Sequence, residues 1–455
     1  GLSLASATNN NIGANSSGSS TSDVVITGDN FVNGAAGGMV VKTTGTVKIQ
    51  PYRQDFSAAQ ILDSSWTFTG ISGLTWGQTG SPSAGNQNGS SMTVNSALSV
   101  AGPIEIYGGT ISIAANLTST LSGAQILAKS TGDISVSGGA SGTNRVLQTN
   151  AGALTLWADA DSSLAGAINI ADYTSLNSEN GLSTQNTAGG QITLGGGADD
   201  GTGKPAGSAY GNSTGNTAGV LIGSSGNADT IANTFNAYSG TSGISIKGQS
   251  AYDRGVIIPL GSNIYAGGTI LIQGGSSAGG NYYHGIALGD ISSTSSSVTA
   301  KLQIDSSSSG TAISLTGTST TANTTSPAAG IVIATNVATG YISMLKASGG
   351  GSINITGTSA VNVGVGMRHV DVLSANGTIN IDGGTGGNLI GYTTTIGYKA
   401  GSSQTTNTGA VNITGDVLTF DEAVTSPEVA SKINTSGIVT IAPKTNNLQV
   451  RVGSN

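Results

Sequence analysis

The sequence predicts an all-β protein folded as a parallel β-helix, an elongated rod made of stacked coils. Three observations lead to this prediction: short segments in which aliphatic and polar residues alternate, a glycine before each segment, and spacings between segments that are often in the twenties. Alternation places aliphatic side chains on one face of a strand and polar ones on the other. A recurring spacing indicates coils that bury their inward side chains against neighbouring coils.

The alternating segments are spread over most of the chain, and each carries two apolar residues two positions apart. They begin at Gly45, Gly102, Gly109, Gly132, Gly152, Gly166, Gly190, Gly243, Gly268, Gly340, Gly351, Gly377, Gly409 and Gly437. A flat sandwich would need hairpin signals and large core residues, whereas the chain has only 5 Phe and 3 Trp. Small aliphatic residues are sufficient for a solenoid, and glycine supplies the positive φ of its corners.

Four regions are expected along the chain. They are leading coils at 1–37, coils with an aromatic-rich excursion at 38–100, a stalk with variable loops at 101–430, and the start of a further repeat module or a terminal coil at 431–455. The excursion is predicted from residues 51–76, which contain Tyr52, Phe56, Trp66, Phe68 and Trp76. These rings are expected to cap or flank the core, and a sugar-stacking face is the alternative.

Composition excludes several classes of protein. The net charge is −7 with only 8% charged residues, so no basic stripe is present to bind nucleic acid. No run of about eighteen apolar residues occurs, and hence no membrane-spanning helix is expected. The absence of cysteine excludes disulfides and thiol chemistry, and it fits an exported protein as well as a cytosolic one.

A group of aspartates follows three alternating segments. Its members are Asp159, Asp161, Asp172, Asp199 and Asp200. If the segments stack in register, the carboxylates gather at one corner of the solenoid, where Ca²⁺ would relieve their repulsion. This predicts a calcium site, although aspartate also forms turns after strands, which is the competing explanation.

Catalytic candidates are few. His284 and His369 have no cysteine or nucleophile motif near them in sequence, and a surface or structural role is expected for both. Trp157 has outward parity and is expected to lie over a neighbouring coil, with a glycan-binding platform as the alternative. We therefore do not expect an enzyme, and no cofactor other than calcium is implied.

Several phrases of the sequence resemble a known family. They are GMVVKTTGTVKIQPYRQDFSAAQIL at 38–62, ISGLTWGQTG at 71–80, SVAGPIEIYGGTISIAANLTST at 99–120, LTLWADADSSLAGAINIADYTSLNSENGLST at 154–184 and GGQITLGGGADDG at 189–201. Together they resemble the repeat regions of large bacterial exoproteins of the filamentous haemagglutinin type. That resemblance implies a right-handed parallel β-helix, export by two-partner secretion and an adhesive role at the cell surface.

These observations lead to one functional expectation and one rival. The expectation is a structural and adhesive extracellular protein, a solenoid stalk or filament segment that binds glycans or proteins of a host or neighbouring cell and self-associates end to end. Thr435–Pro443 repeats the pattern of Thr43–Pro51, which agrees with a tandem array. The rival is a carbohydrate-active β-helix enzyme or a tailspike-like polysaccharide-binding protein.

Overall fold

The computed structural model describes most of the chain. The described residues are 10–13, 20–31, 38–79, 89–180, 188–211, 217–223, 235–277, 283–289, 301–320, 328–334, 342–391, 393–399, 406–420 and 430–446. They belong to two compact units, Gly1–Ala209 with Tyr238–Thr241 and Tyr210–Ala237 with Ser242–Asn455. Within the described ranges the one helical element is a 3-10 turn at Gly384–Gly386.

Short strands make up almost all of the regular structure in both units. In chain order the first unit contains β1 (Asn10–Gly13), β2 (Val24–Thr27), β3 (Met39–Lys42), β4 (Thr46–Gln50), β5 (Gln60–Leu62), β6 (Trp66–Thr69), β7 (Gly73–Trp76), β8 (Met92–Val94), β9 (Leu98–Val100), β10 (Ile104–Gly108), β11 (Ile111–Ile113), β12 (Leu117–Ser122), β13 (Ile126–Ser130), β14 (Ile134–Val136), β15 (Arg145–Asn150), β16 (Leu154–Ala158), β17 (Ile168–Ile170), β18 (Thr174–Asn177), β19 (Ile192–Asp199) and β20 (Pro205–Gly207).

The remaining strands follow from residue 209 onward. They are β21 (Ala209–Gly211), β22 (Val220–Ile222), β23 (Phe235–Tyr238), β24 (Ile244–Ser250), β25 (Val256–Ile258), β26 (Ser262–Ala266), β27 (Ile270–Ser276), β28 (Ile286–Gly289), β29 (Gln303–Ser306), β30 (Thr311–Ser319), β31 (Ile331–Ala334), β32 (Ser343–Ala347), β33 (Ser352–Ser359), β34 (Val365–Arg368), β35 (Val370–Ser374), β36 (Ile379–Asp382), β37 (Asn388–Ile390), β38 (Thr395–Gly397), β39 (Val411–Thr414), β40 (Leu418–Phe420), β41 (Lys432–Asn434) and β42 (Val439–Ala442).

Both units contain three long parallel sheets, here called sheet 1, sheet 2 and sheet 3 in the order in which the chain passes through them, and the first unit also contains a three-stranded parallel sheet, β1-β3-β6. In the first unit, sheet 1 has the order β2-β4-β7-β10-β13-β16-β19, sheet 2 β5-β8-β11-β14-β17, and sheet 3 β9-β12-β15-β18. In the second unit, sheet 1 has the order β24-β27-β30-β33-β36-β39-β42, sheet 2 β22-β25-β28-β31-β34-β37-β40, and sheet 3 β26-β29-β32-β35-β38-β41. The predicted parallel β-helix is confirmed in both units.

A coil consists of one strand from each sheet. The segment at 104–122 supplies β10, β11 and β12, and Ile104 of this coil pairs with Ile126 of the next, 22 residues further on. Coils are nevertheless not uniformly twenty-odd residues long, because Leu154 pairs with Ile192, 38 residues further on. The spacings seen in the sequence mix segments from different sheets, so they underestimate the longer coils.

In-register ladders of buried aliphatic side chains form the core. On sheet 1 of the first unit, one such ladder contains Val47, Leu74, Ile104, Ile126, Leu154 and Ile192, all of them 2% exposed or less. Full burial of one aliphatic side chain stabilises the fold by about 1.5–3 kcal/mol. Glycine precedes these strands because a Cβ at Gly102 or Gly190 would collide with a carbonyl oxygen of the preceding coil.

One alternating segment buries the opposite face from the one that its pattern predicts. Alternation in the segment beginning at Gly340 predicts that Met344 points inward, but β32 buries Ser343, Leu345 and Ala347 and leaves Met344 on its outer face. The cause is the neighbouring coil, since Leu345 is in register with Ile304. Residues 340 and 341 lie outside the described residues.

The aromatic-rich segment contributes buried rings to the coil stack, although its Tyr52 is 76% exposed. Trp66 and Trp76 are buried on β6 and β7, and their ring centroids are 5.1 Å apart. Phe31 contacts both Phe56 and Trp66 with edge-to-face geometry. Because Trp76 is in register with Ile49 and Ile106, its ring forms part of the core itself and does not flank it.

Candidate functional site

The outer face of sheet 1 in the first unit brings several reactive side chains together. Ile104 and Ile106 point inward, so Glu105 and Tyr107 of the same strand point outward. Register then places Lys129 beside Tyr107, and Trp157 beside Lys129. In a chain with 8% charged residues, two opposite charges and two aromatic rings on three adjacent strands mark this face as the candidate site.

Trp157 forms the floor of the site. Its ring is 1% exposed and packs with Leu127, Ala160 and Tyr107 in a small apolar cluster on the outer face of the sheet. The indole Nε1 donates a hydrogen bond to the carbonyl oxygen of Gly197 on β19, at 2.7 Å. The expectation that Trp157 lies over a neighbouring coil is confirmed, and its ring is too buried to serve as a glycan platform.

The Lys129 side chain lies over one face of the Trp157 ring. Its Nζ lies 3.7 Å from the centroid of the Trp157 ring, a cation–π contact. Burial lowers the pKa of the Lys129 ammonium, and the Asp199 carboxylate opposes this shift by favouring the charged form. Within the described part of the chain the ammonium donates no hydrogen bond, so its three N–H groups remain available.

Glu105 lies on the preceding coil in register with Leu127, and its carboxylate accepts hydrogen bonds from two neighbouring side chains. The Gln125 Nε2 donates to Glu105 Oε1 at 2.8 Å, and the Tyr107 hydroxyl donates to Glu105 Oε2 at 3.2 Å. Burial, together with the adjacent Glu105 charge, raises the pKa of Tyr107, which keeps the phenol protonated. Each carboxylate oxygen accepts one bond here and can accept another.

Asp159 lies in the turn after β16, where it organises the backbone. It is 2% exposed with a φ of 48°, and its Oδ1 accepts hydrogen bonds from the Ser163 hydroxyl at 3.1 Å and the Ala165 N–H at 3.3 Å. Burial raises the pKa of this carboxyl, while those two hydrogen bonds act in the opposite direction. The side chain therefore caps its own turn.

The other predicted ligands on sheet 1 also stabilise turns. Asp161 accepts a bond from the Ser163 N–H at 3.3 Å. At the end of β19, Asp199 accepts from the N–H groups of Gly201 and Gly203 at 2.8 and 3.0 Å. Asp200 accepts from the hydroxyl and N–H of Thr202 at 2.7 and 2.8 Å, and these bonds lower its pKa.

The predicted calcium cluster is not assembled. Asp172 follows β17 of sheet 2, whereas Asp159 and Asp199 follow strands of sheet 1. The prediction treated these strands as three consecutive turns of one sheet, but the chain bends between β16 and β17. Across the described ranges, no three histidine or acidic side chains lie close enough together to hold a metal ion.

Both histidines are buried in the second unit. His284 is 3% exposed, and its Nδ1 accepts a hydrogen bond from the Ala329 N–H of the next coil at 2.9 Å. Burial, with a further contribution from Arg254, lowers the pKa of His284 to about 3. His369 is 4% exposed with a φ of 54°, and the nearby Asp371 pairs with Lys399 at 2.8 Å. A structural role, as expected from the sequence, is confirmed for His284.

Sequence reasoning did not predict that Tyr107, Lys129 and Trp157 lie side by side. The signal that could have predicted it is parity, because all three residues occupy outward positions of strands that lie one coil apart. Recognising the group requires the coil lengths of 22 and 28 residues, which the structure supplies.

Comparison with protein-family models, curated proteins and solved structures returns no match for this chain. Within the described part of the chain, no helix has the length and apolar character needed to cross a membrane. The fold defines the chain as a parallel β-helix protein, a class whose members have structural, adhesive and catalytic roles.

Proposed function

We propose that this chain is a structural and adhesive extracellular protein, a β-helical segment of a bacterial surface adhesin. Its partners would be glycans or proteins on a host or neighbouring cell, and copies would associate end to end. The phrases that resemble filamentous haemagglutinin-type exoproteins support this proposal, as does a composition poor in charged residues.

The observation that carries the proposal is the regularity of the coil stack. In the second unit, Ile244, Ile270, Ile313, Ile353, Ile379 and Val411 form one inward ladder in register. On the outer face, Asn380 Nδ2 donates to Asn354 Oδ1 at 2.7 Å, and Asn412 Nδ2 donates to Asn380 Oδ1 at 2.9 Å. Such stacks grow by adding similar coils, which suits a protein that presents contact surfaces at a distance.

Adhesion by purified protein is the direct test. Beads coated with the chain should attach to cells and polysaccharide films under flow, with saturation and with inhibition by soluble chain. The matched control is Ile355→Asp, which places a charge at a core position that is fully buried and should prevent correct folding. Equal attachment of wild-type and control beads, or none by either, would contradict the proposal.

Two further measurements separate the parts of the proposal. Sedimentation velocity over a range of concentrations should reveal linear oligomers if copies associate end to end. Release of reducing ends from the polysaccharides that retain the beads should stay at the level of the buffer control. Turnover of any of them would favour the carbohydrate-active rival.

A further inference from the structure

The last described coil of the second unit leaves part of its core uncovered. We call its strands, β40, β41 and β42, the downstream end. Val439 on β42, Ile433 on β41 and Phe420 on β40 point inward, because each is in register with a buried residue of the preceding coil. Val439 is nevertheless 45% exposed and Phe420 40%, whereas Val411 beside Val439 is fully buried. Within the described part of the chain each of these strands pairs with one other strand, so each has a free edge.

The corner that leads into β42 matches a corner that carries another coil. Thr435 Oγ1 accepts a hydrogen bond from the Gly437 N–H at 2.9 Å. Before β4, Thr43 Oγ1 accepts the same bond from the Gly45 N–H at 3.0 Å, and both hydroxyls donate to a carbonyl oxygen of the preceding coil. The Gly45 carbonyl then accepts from the Ser72 N–H of the following coil at 3.0 Å. The downstream end is therefore shaped to receive a further parallel coil.

The first unit supplies a coil with the matching free edge. Among the described strands β2 pairs only with β4, and its inward residues Val24 and Ile26 have the same spacing as Val439 and Ile441 of β42. Parallel pairing that keeps the direction of the coils joins a downstream edge to an upstream edge. We propose that β2 of a second copy pairs with β42, so that the coils of one copy continue into the next. This inference rests on the end-to-end association in the proposed function.

The charges of the two edges are complementary. The segment 430–446 contains two lysines and no acidic residue, whereas the segment 20–31 contains two aspartates and no basic residue. When the inward residues of β2 and β42 are paired in order, Asp29 is level with Lys444. The Lys444 side chain is 48% exposed, although it contacts Asp382 at 2.6 Å. Opposite charges favour this pairing, and two downstream ends would instead bring lysines together.

The first test places a charge in the free edge of β42. Val439→Asp should weaken self-association of the chain by tenfold or more, measured by sedimentation velocity over a range of concentrations, because pairing would bury an unpaired carboxylate (roughly, at one tenth per 1.4 kcal/mol). The matched control is Val361→Asp after β33, where the valine is 42% exposed but lies away from the downstream end. Its association should equal that of wild type, and circular dichroism should show both variants folded.

The second test exchanges the charges. Lys444→Glu and Asp29→Lys should each weaken self-association, because each brings like charges together at the junction. An equimolar mixture of the two variants should associate as wild type does, since opposite charges then meet at every junction between unlike copies. Failure of the mixture to recover association would contradict the proposed register.

The outcomes separate this inference from the proposed function. A wild-type chain that stays monomeric at all concentrations, or that stops at a dimer, would overturn the inference. If wild type forms linear oligomers and Val439→Asp does so equally well, the copies join through another surface and the downstream end is excluded. Attachment of coated beads to cells measures adhesion independently, so the adhesive function stands or fails on that result alone.

Discussion

His284 links pH to the stability of the coil stack at the scale of one residue. It is buried as a neutral imidazole that accepts from Ala329, while Arg254 of the preceding coil disfavours a positive charge. The folded-state pKa of about 3 lies below the ordinary value of 6.5, so the unfolded chain takes up a proton first as the pH falls. The contribution of His284 to the free energy of unfolding is therefore at its full value above pH 6.5 and is lost as the pH falls from 6.5 to about 3.

Denaturation at two pH values checks whether His284 makes the stability of the protein depend on pH. Between neutral pH and about pH 5, the free energy of unfolding of the wild type should fall by about 2 kcal/mol more than that of His284→Asn. The asparagine keeps a hydrogen-bond acceptor but does not ionise. Carboxylates titrate in the same range in both proteins, so the difference isolates His284. Equal losses in the two proteins would show that His284 does not couple stability to pH.

Substitutions of Asp159 distinguish a structural role of its carboxylate from a role in binding a metal ion. Its carboxylate caps residues 163–165 from a backbone with positive φ, which aspartate and asparagine tolerate better than alanine. We expect Asp159→Ala to destabilise the protein by about 1–3 kcal/mol and Asp159→Asn to cost less.

Calcium titrated into wild type and into Asp159→Ala/Asp161→Ala should give no saturable heat in either, and a saturable signal confined to wild type would restore the calcium site.

At the scale of the element, the corner between sheets 1 and 2 of the second unit depends on a repeated Gly-x-Ser pattern. Gly248, Gly274, Gly317 and Gly357 are in register, and a Cβ at any of them would collide with a carbonyl oxygen of the opposing glycine column. Two residues later, buried serines bind backbone carbonyl groups, as Ser276 does with Asp253 at 2.7 Å and Ser359 with Ala328 at 2.8 Å. The Gly-x-Ser pattern is visible in the sequence, but it can be assigned to a corner of the coil only when the adjacent strands are known.

Two glycines of one strand provide a matched test of this corner. A Cβ at Gly274 would overlap the Gly285 backbone, whereas a Cβ at Gly275 would meet only the flexible Gln249 side chain at 3.2 Å. Gly274→Ala should cost about 1–3 kcal/mol or more in urea denaturation, because the backbone must shift. Gly275→Ala should be close to neutral, and similar costs for the two variants would argue against a close-packed corner.

At the scale of the whole molecule, stability is expected to be distributed along each unit. Coils contact their immediate neighbours, so damage to one coil should weaken nearby coils most. Ile355 is fully buried between Leu315 and Ile381 of the adjacent coils, and Thr356 beside it points outward.

Hydrogen exchange resolves this prediction along the second unit. Ile355→Ala should cost about 2–5 kcal/mol and reduce protection most in β30, β33 and β36, with smaller effects in coils further away. Thr356→Ala on the same strand should leave protection unchanged. A uniform loss across the unit for Ile355→Ala would indicate global cooperativity in place of nearest-neighbour coupling.

The sequence by itself located strands at the alternating segments and determined which face of most of these segments is buried. All of the alternating segments except the one at Gly340 coincide with strands, and the four isoleucines of 104–113 are all buried. This information is local, because a two-residue period and a flanking glycine decide strand and face without reference to distant residues.

Only the tertiary structure decided which strands lie side by side. It separated Asp172 from Asp159 and Asp199, reversed the face of Met344 and brought Lys129 between Tyr107 and Trp157. The physical reason is that register depends on the number of residues in each coil, here from 22 to 38 in successive coils of the first unit. Those lengths are set by corners and loops whose conformations follow from packing against the neighbouring coil and not from a local pattern.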